Sequence, residues 1–274
     1  MKRVLIAAVL TVMLSGVVAN AQYTPGAREV GAWPSQTFST YADDFFSAGY
    51  IAAAATTNHA AATVLRGGKF SEVADHAEWL VSTTDGDGDD LETITIADNG
   101  GSGWLEIKTN NKAVDAVEIQ KNGEAFTITA AKDLWYEAKI AIDDVSADRV
   151  FIGLTVADTD VLGSFGNDFI GFYLNQNTNS FQMAKNGTIV TNASITTMTD
   201  TGATVGGNAK VFSFYVDGSA GDVWAYVDGV EVGFQDGSSS VPNDEALSPV
   251  FGILTVDTGA DSLFVDYFSV RQHR

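Results

Sequence analysis

The segment Leu134-Trp-Tyr-Glu-Ala-Lys-Ile-Ala-Ile142 constrains the fold more than any other part of the chain. Leu134, Tyr136, Ala138, Ile140 and Ile142 fall on one side of an extended backbone, and Trp135, Glu137, Lys139 and Ala141 on the other. A period of two is the repeat of a strand; on a helix the same residues would scatter around the axis. From about residue 77 onward the alternation recurs, interrupted roughly every dozen residues by turn chemistry, as in sandwiches and barrels. Strands are predicted over 78–83, 92–97, 103–108, 116–120, 126–129, 134–142, 150–156, 169–175, 180–185, 211–216, 223–227, 250–256 and 262–271. Val150, Ile152, Leu154 and Val156 share a predicted core face, and so do Phe264, Phe268 and Val270 in the last strand. Tight hairpins are predicted at Asn122-Gly123, Asn186-Gly187 and Asp228-Gly229, because such pairs supply the positive φ that these turns need. Strands joined in this way are antiparallel, and with no helical period between them a parallel βαβ architecture is disfavoured. So many short strands exceed what a single sheet carries.

The 274 residues suit one all-β core, since such sandwiches run to about 200–250 residues as single domains. Residues 1–21 read as a signal peptide: Lys2 and Arg3 lead an apolar run over 4–18, and Ala19-Asn20-Ala21 offers small residues for cleavage. Residues 22–76 read as an extended arm followed by an Ala-rich segment, a short helix or a packed loop, and residues 77–274 as the sandwich. The chain has no cysteine, which excludes disulfides, thiolate nucleophiles and Cys-ligated zinc, so stability must come from the core. The net charge of −20 becomes about −22 without Lys2 and Arg3, a charge that repels phosphate backbones and anionic membranes. The expected protein is therefore exported, binds no nucleic acid, and has no membrane contact once the leader is gone.

Phe212-Ser-Phe-Tyr-Val-Asp217, Val223-Trp-Ala-Tyr-Val-Asp-Gly-Val230 and Leu263-Phe-Val-Asp-Tyr-Phe-Ser-Val270 resemble the concanavalin A-like lectin/glucanase superfamily, laminin G-like members included. The resemblance implies a two-sheet antiparallel jelly-roll sandwich over residues 77–274. Lys132-Asp-Leu-Trp-Tyr-Glu-Ala-Lys-Ile140, Phe151-Ile-Gly-Leu-Thr-Val-Ala-Asp-Thr159, Asn167-Asp-Phe-Ile-Gly-Phe-Tyr173 and Val241-Pro-Asn-Asp-Glu-Ala-Leu247 are similar to uncharacterised virion-associated proteins of marine tailed phages.

Glucanases of this superfamily carry Glu-x-Asp-x-x-Glu along one strand, placing an acid and a nucleophile about 5 Å apart across the glycosidic bond. No such run occurs, and Asp43-Asp44 and Asp143-Asp144 are adjacent, so they would point to opposite faces of a strand. His59, His76 and His273 lie far apart in sequence, with no metal-ligand spacing, and there is no nucleophile elbow or phosphate-cradling loop. The chain is accordingly expected to be non-catalytic. Asp85-Gly-Asp-Gly-Asp-Asp90 places Asp85, Asp87 and Asp89 at the alternate positions from which a flexible loop gathers oxygens around Ca²⁺. The same run also reads as a solvated acidic loop, since the sixth position is Asp90 and the twelfth is Ile96.

Glycan binding needs aromatic surface for sugar C–H groups and polar groups for hydroxyls. Trp135, Trp224 and Tyr226, each opposite a face of aliphatic or smaller residues, are candidates, as are Tyr173 and Asn175 beside a polar loop; otherwise these aromatics fill the core. The leading expectation is a structural or adhesive sandwich of a phage virion, or derived from one, which binds a glycan or a neighbouring structural protein, with its own copies as a further candidate partner. The alternatives are a secreted bacterial carbohydrate-binding module and, behind it, a laminarinase-like hydrolase.

Overall fold

A computed structural model describes residues 38–43, 63–65, 79–84, 92–98, 103–110, 114–121, 123, 126–130, 132–143, 148–157, 162, 167–175, 179–195, 209–237 and 239–273. They are all-β, as the alternation predicts. The strands are β1 (Phe38–Asp43), β2 (Thr63–Leu65), β3 (Trp79–Thr84), β4 (Thr93–Asp98), β5 (Gly103–Lys108), β6 (Ala116–Lys121), β7 (Leu134–Ile142), β8 (Asp148–Thr155), β9 (Phe169–Asn175), β10 (Asn179–Lys185), β11 (Thr188–Ile195), β12 (Lys210–Val216), β13 (Val223–Val227), β14 (Val230–Gln235), β15 (Ser248–Thr255) and β16 (Ser262–His273). Sheet 1 runs β14-β13-β12-β7-β16-β5-β4, with β1 also paired to β16. Sheet 2 runs β11-β10-β9-β8-β15-β6-β3-β2. The pairings are antiparallel, and the two layers form a jelly-roll sandwich.

The inner faces close on each other as the period of two requires. In β7, Leu134, Tyr136, Ala138, Ile140 and Ile142 are buried in one core cluster with Val150, Ile152 and Leu154 of β8, while Trp135, Glu137 and Lys139 stay partly exposed. Phe172 of β9 meets Phe212 of β12 edge-on at 4.9 Å, Phe181 of β10 lies 5.6 Å from Phe214, and Tyr136 stacks on Phe214 at 4.8 Å. Tyr136 braces Phe214 from within sheet 1, and the Phe172–Phe212 and Phe181–Phe214 contacts join the two sheets at one end of the core. At the other, Trp79 and Phe251 of sheet 2 pack against Phe268 of sheet 1 at 5.5 and 5.3 Å. Such tilted and offset ring pairs add to the apolar area that they remove from water.

Two predicted hairpins form. Asn186 and Gly187 (φ 51° and 75°) join β10 to β11, and Asp228 and Gly229 (φ 48° and 78°) join β13 to β14, with the paired positive φ of a type I′ turn. Gly123 also has positive φ, yet Asn122-Gly123 closes no hairpin: β6 before it lies in sheet 2 and β7 after it in sheet 1. Residues 126–129 are not a strand; Phe126 makes a single bridge to Leu247. In the last strand Phe268 and Val270 point into the main core, whereas Phe264 lies on the opposite face with Trp104 and Ala141. A bulge between Val265 and Tyr267 adds one residue and reverses the alternation, so parity counted from the sequence fails across it. Strand β1 lies within the segment read as an arm and pairs along β16 from Phe38↔His273 to Asp43↔Phe268; β2, in the Ala-rich segment, pairs with β3. Residues 1–21 lie outside the described residues.

Gly153 and Gly171 face each other across β8 and β9, where a Cβ on Gly171 would stand 2.4 Å from the Ile152 carbonyl oxygen and 2.9 Å from the Gly153 Cα. Gly171→Ala should therefore cost at least about 2 kcal/mol in denaturant unfolding, because backbone atoms cannot step aside as side chains do; a variant of unchanged midpoint would contradict this packing. The Tyr136 hydroxyl is buried with no hydrogen-bond partner among the described residues, and burial raises its pKa well above the usual tyrosine range. Tyr136→Phe is expected to equal or exceed the wild type in stability, by up to about 1 kcal/mol, since it removes a desolvated hydroxyl and keeps the ring.

Candidate functional site

Burying one side of β7, β12 and β13 forces the other side outward, and the cross-strand register decides which outward side chains meet. Trp135 of β7 lies opposite Tyr215 of β12, Tyr215 opposite Trp224 of β13, and Trp224 opposite Phe234 of β14. Ring centroids along this row are 5.1, 5.3 and 5.1 Å apart, with interplanar angles of 30°, 24° and 42°. The spacing follows the distance between neighbouring strands, and cross-strand aromatic pairs stabilise a sheet. None of the four is buried, and Phe234 is 45% exposed. The outer face of sheet 1 thus carries an aromatic ladder four strands wide, with Arg271 of β16 in register beyond Trp135.

A polar row runs beside it: Glu231, Tyr226, Ser213, Glu137 and Ser269 face one another in turn across β14, β13, β12, β7 and β16. The Tyr267 hydroxyl donates to Glu137 Oε1 at 3.1 Å. Lys139 pairs with Asp266 at 2.6 Å and lies over the Trp104 ring, 5.0 Å from its centroid. Glu137 Oε2 and Ser213 Oγ are buried without a hydrogen-bond partner among the described residues. Burial raises the Glu137 pKa above the usual carboxylate range, against the opposing effects of the Tyr267 hydrogen bond and the Arg271 charge. Tyr267 is raised too, by burial first and then by the charges of Glu137 and Asp266.

The outer face of sheet 2 is built differently. Ala116, Phe151, Leu162, Phe169, Ala184, Val250 and Leu254 form a second buried cluster there, with Tyr173 packed at its margin. Glu118 of β6, only 4% exposed, accepts from the Leu162 amide at 2.7 Å and ties the β8–β9 connection over this cluster. The Tyr173 hydroxyl bonds the Asn175 side chain, and its pKa is raised by burial, an effect that Arg149 opposes.

The five predicted glycan residues are thus divided. Trp135, Trp224 and Tyr226 come together on sheet 1, whereas Tyr173 and Asn175 lie on the outer face of sheet 2, across the sandwich. Tyr215, Phe234, Ser213 and Glu137 were missed. The hairpin at Asp228-Gly229 fixes the pairing of Val227 with Val230 and was legible, but the bulge at Ala225/Tyr226 that brings Phe234 onto Trp224 was not. Asp85, Asp87 and Asp89 lie outside the described residues, and among the described residues no group of three His, Asp or Glu is arranged to hold a metal ion.

No family model matches the sequence, and no curated protein is similar to it in sequence. Solved structures do share the fold. An endo-1,3-β-glucanase from Streptomyces sioyaensis aligns with TM-score 0.53 at 15% identity, over 89% of this chain and 99% of its own. A glycoside hydrolase family 16 endo-glucanase from Bacteroides ovatus aligns with TM-score 0.54 at 11% identity, over 84% and 99%. The carbohydrate recognition domain of Emp46p, solved in potassium-bound and metal-free forms, aligns in the potassium-bound form with TM-score 0.52 at 8% identity, over 73% and 92%. The architecture is that of concanavalin A-like jelly rolls. The glucanases overturn the expectation that the chain is non-catalytic: the scaffold it shares over most of its length is one on which glucan hydrolysis takes place, so a missing sequence run does not exclude an enzyme.

The raised Glu137 pKa has a sign. The stability linked to it is fully present below the unfolded-chain pKa and is lost as pH rises through the higher folded value. Glu137→Gln should match the wild type in acid and unfold at higher urea concentration at neutral pH; a lower midpoint at neutral pH would mean that the carboxylate is stabilised where it stands.

Proposed function

We propose that the protein is an exported glycan-binding jelly roll that lays a β-glucan chain along the outer face of sheet 1. The aromatic ladder from Phe234 through Trp224 and Tyr215 to Trp135 is the observation that carries this reading. Ring surface that stays partly open across four strands offers apolar contact to sugar C–H groups, and the adjoining row of Tyr226, Ser213 and Glu137 offers partners for hydroxyls. Support also comes from the shared fold, which serves carbohydrate recognition in Emp46p and glucan cleavage in the Streptomyces and Bacteroides enzymes. The acidic chain argues for an uncharged polysaccharide, because an anionic one would meet repulsion from a net charge of −20.

Hydrolysis of the bound chain is a second reading, favoured by the glucanase folds. No described strand carries acidic residues at alternate positions, so a carboxylate pair would come from two strands; Glu137 of β7 and Asp266 of β16, both beside Tyr267, are the candidates. The virion setting rests only on the resemblance read from residues 132–140, 151–159, 167–173 and 241–247, and concerns where the glycan is met. Calcium at Asp85, Asp87 and Asp89 belongs to the same proposal.

Calorimetry with laminarin, with and without Ca²⁺, together with an assay for newly released reducing ends, tests these readings. The wild type should bind, and Trp224→Ala should weaken binding by about tenfold, a loss of about 1.4 kcal/mol. Wild-type affinity in Trp224→Ala would remove the ladder from the reading. Release of reducing ends that Glu137→Gln abolishes would make the protein a hydrolase.

A further inference from the structure

We infer that Glu137 and Ser213 form the hydrogen-bonding subsite of this face, taking two hydroxyls of a neutral sugar unit seated against Trp135 and Tyr215. The inference rests on the glycan-binding reading and deepens it. Ser213 is 5% exposed, points outward between the core residues Phe212 and Phe214, and faces Glu137 in register. Its Oγ and Glu137 Oε2 have no hydrogen-bond partner among the described residues, although Glu137 Oε1 is satisfied by Tyr267. A carboxylate with one oxygen fixed and the other unmatched, opposite an unmatched hydroxyl, holds one acceptor and one donor-acceptor just beneath the surface, which a sugar reaches where the side chains that cover them turn aside. That set suits a vicinal diol, and an ionised carboxylate strengthens each bond it accepts. Both residues sit one row from the ladder: Glu137 is two residues along β7 from Trp135, and Ser213 two along β12 from Tyr215.

A pH dependence follows. Tyr267 and Arg271 of β16 act on Glu137 directly; the other titratable and charged groups around it are Asp266 of β16, Lys139 of β7 and Tyr215 of β12, with Tyr226 of β13 and Glu231 of β14 further along its row. Hydroxyl donors replace the solvation that burial takes from the carboxylate, so the bound ligand favours the ionised form. Binding should therefore strengthen as pH rises through the Glu137 pKa and release protons in that range.

The test measures the affinity of the whole protein for a β-1,3-glucan oligosaccharide by calorimetry across acid and neutral pH, in buffers of differing ionisation enthalpy. Glu137→Gln should lose about tenfold in affinity at neutral pH and lose the pH dependence and proton release; Ser213→Ala should lose affinity and keep both. Near-UV circular dichroism establishes that each variant is folded, and Ser213→Ala carries the test should Glu137→Gln unfold. Wild-type binding with unchanged affinity in both variants, or a pH dependence that survives Glu137→Gln, overturns this inference and leaves the ladder reading standing. Absence of wild-type binding overturns both.

Discussion

The contact of Phe172 and Phe181 in sheet 2 with Phe212 and Phe214 in sheet 1 is the constraint on which the rest of the molecule depends. It fixes which side of β12 faces inward. Once Phe212, Phe214 and Val216 are committed to the core, Val211, Ser213 and Tyr215 must face out, because successive residues of a strand have no other choice. The same commitment of Tyr136 in β7 and of Val223, Ala225 and Val227 in β13 turns Trp135, Glu137, Trp224 and Tyr226 outward. The antiparallel register then sets these side chains side by side. Ladder and polar row are thus consequences of the core: a register slip of one residue would bury the tryptophans and expose the phenylalanines.

The two outer faces illustrate how one sandwich reaches different surface chemistry. On sheet 2, Gly153, Gly171 and Gly252 leave space into which Phe151 and Leu162 settle, so that face builds a second small core. On sheet 1 a smaller cluster of Trp104, Ala141 and Phe264 is buried on the outer face, but across β7, β12, β13 and β14 the outward positions carry large rings and polar groups, and there the face stays partly open. Recognition therefore falls to sheet 1 in this account.

The fold was legible because its signal is local. The face assignment in β7 needs nothing beyond nine residues, and the turns at Asn186-Gly187 and Asp228-Gly229 need two each. What escaped the sequence depends on events that leave no mark in it. A bulge near Asp266 moves Phe264 to the outer face, a crossing between sheets follows Gly123 where a hairpin was expected, and β11 and β14 are edge strands, β14 largely exposed on both faces. Trp135, Trp224 and Tyr226 were identifiable as outward aromatics, but their neighbours Tyr215 and Phe234, and the facing of Ser213 with Glu137, required pairing between strands that sequence spacing does not specify. The expectation of a non-catalytic chain failed for a related reason: it rested on the absence of a linear pattern, whereas active sites are assembled in space.

Indole resonances offer the most direct measurement of whether the outer face of sheet 1 is the binding face. The Nε1–H signals of Trp135 and Trp224 should move on titration with a β-1,3-glucan oligosaccharide, while that of Trp79, buried between the sheets, stays in place. Shifts confined to Tyr173, Asn175 and their neighbours on sheet 2, with the sheet 1 indoles unmoved, would contradict the account.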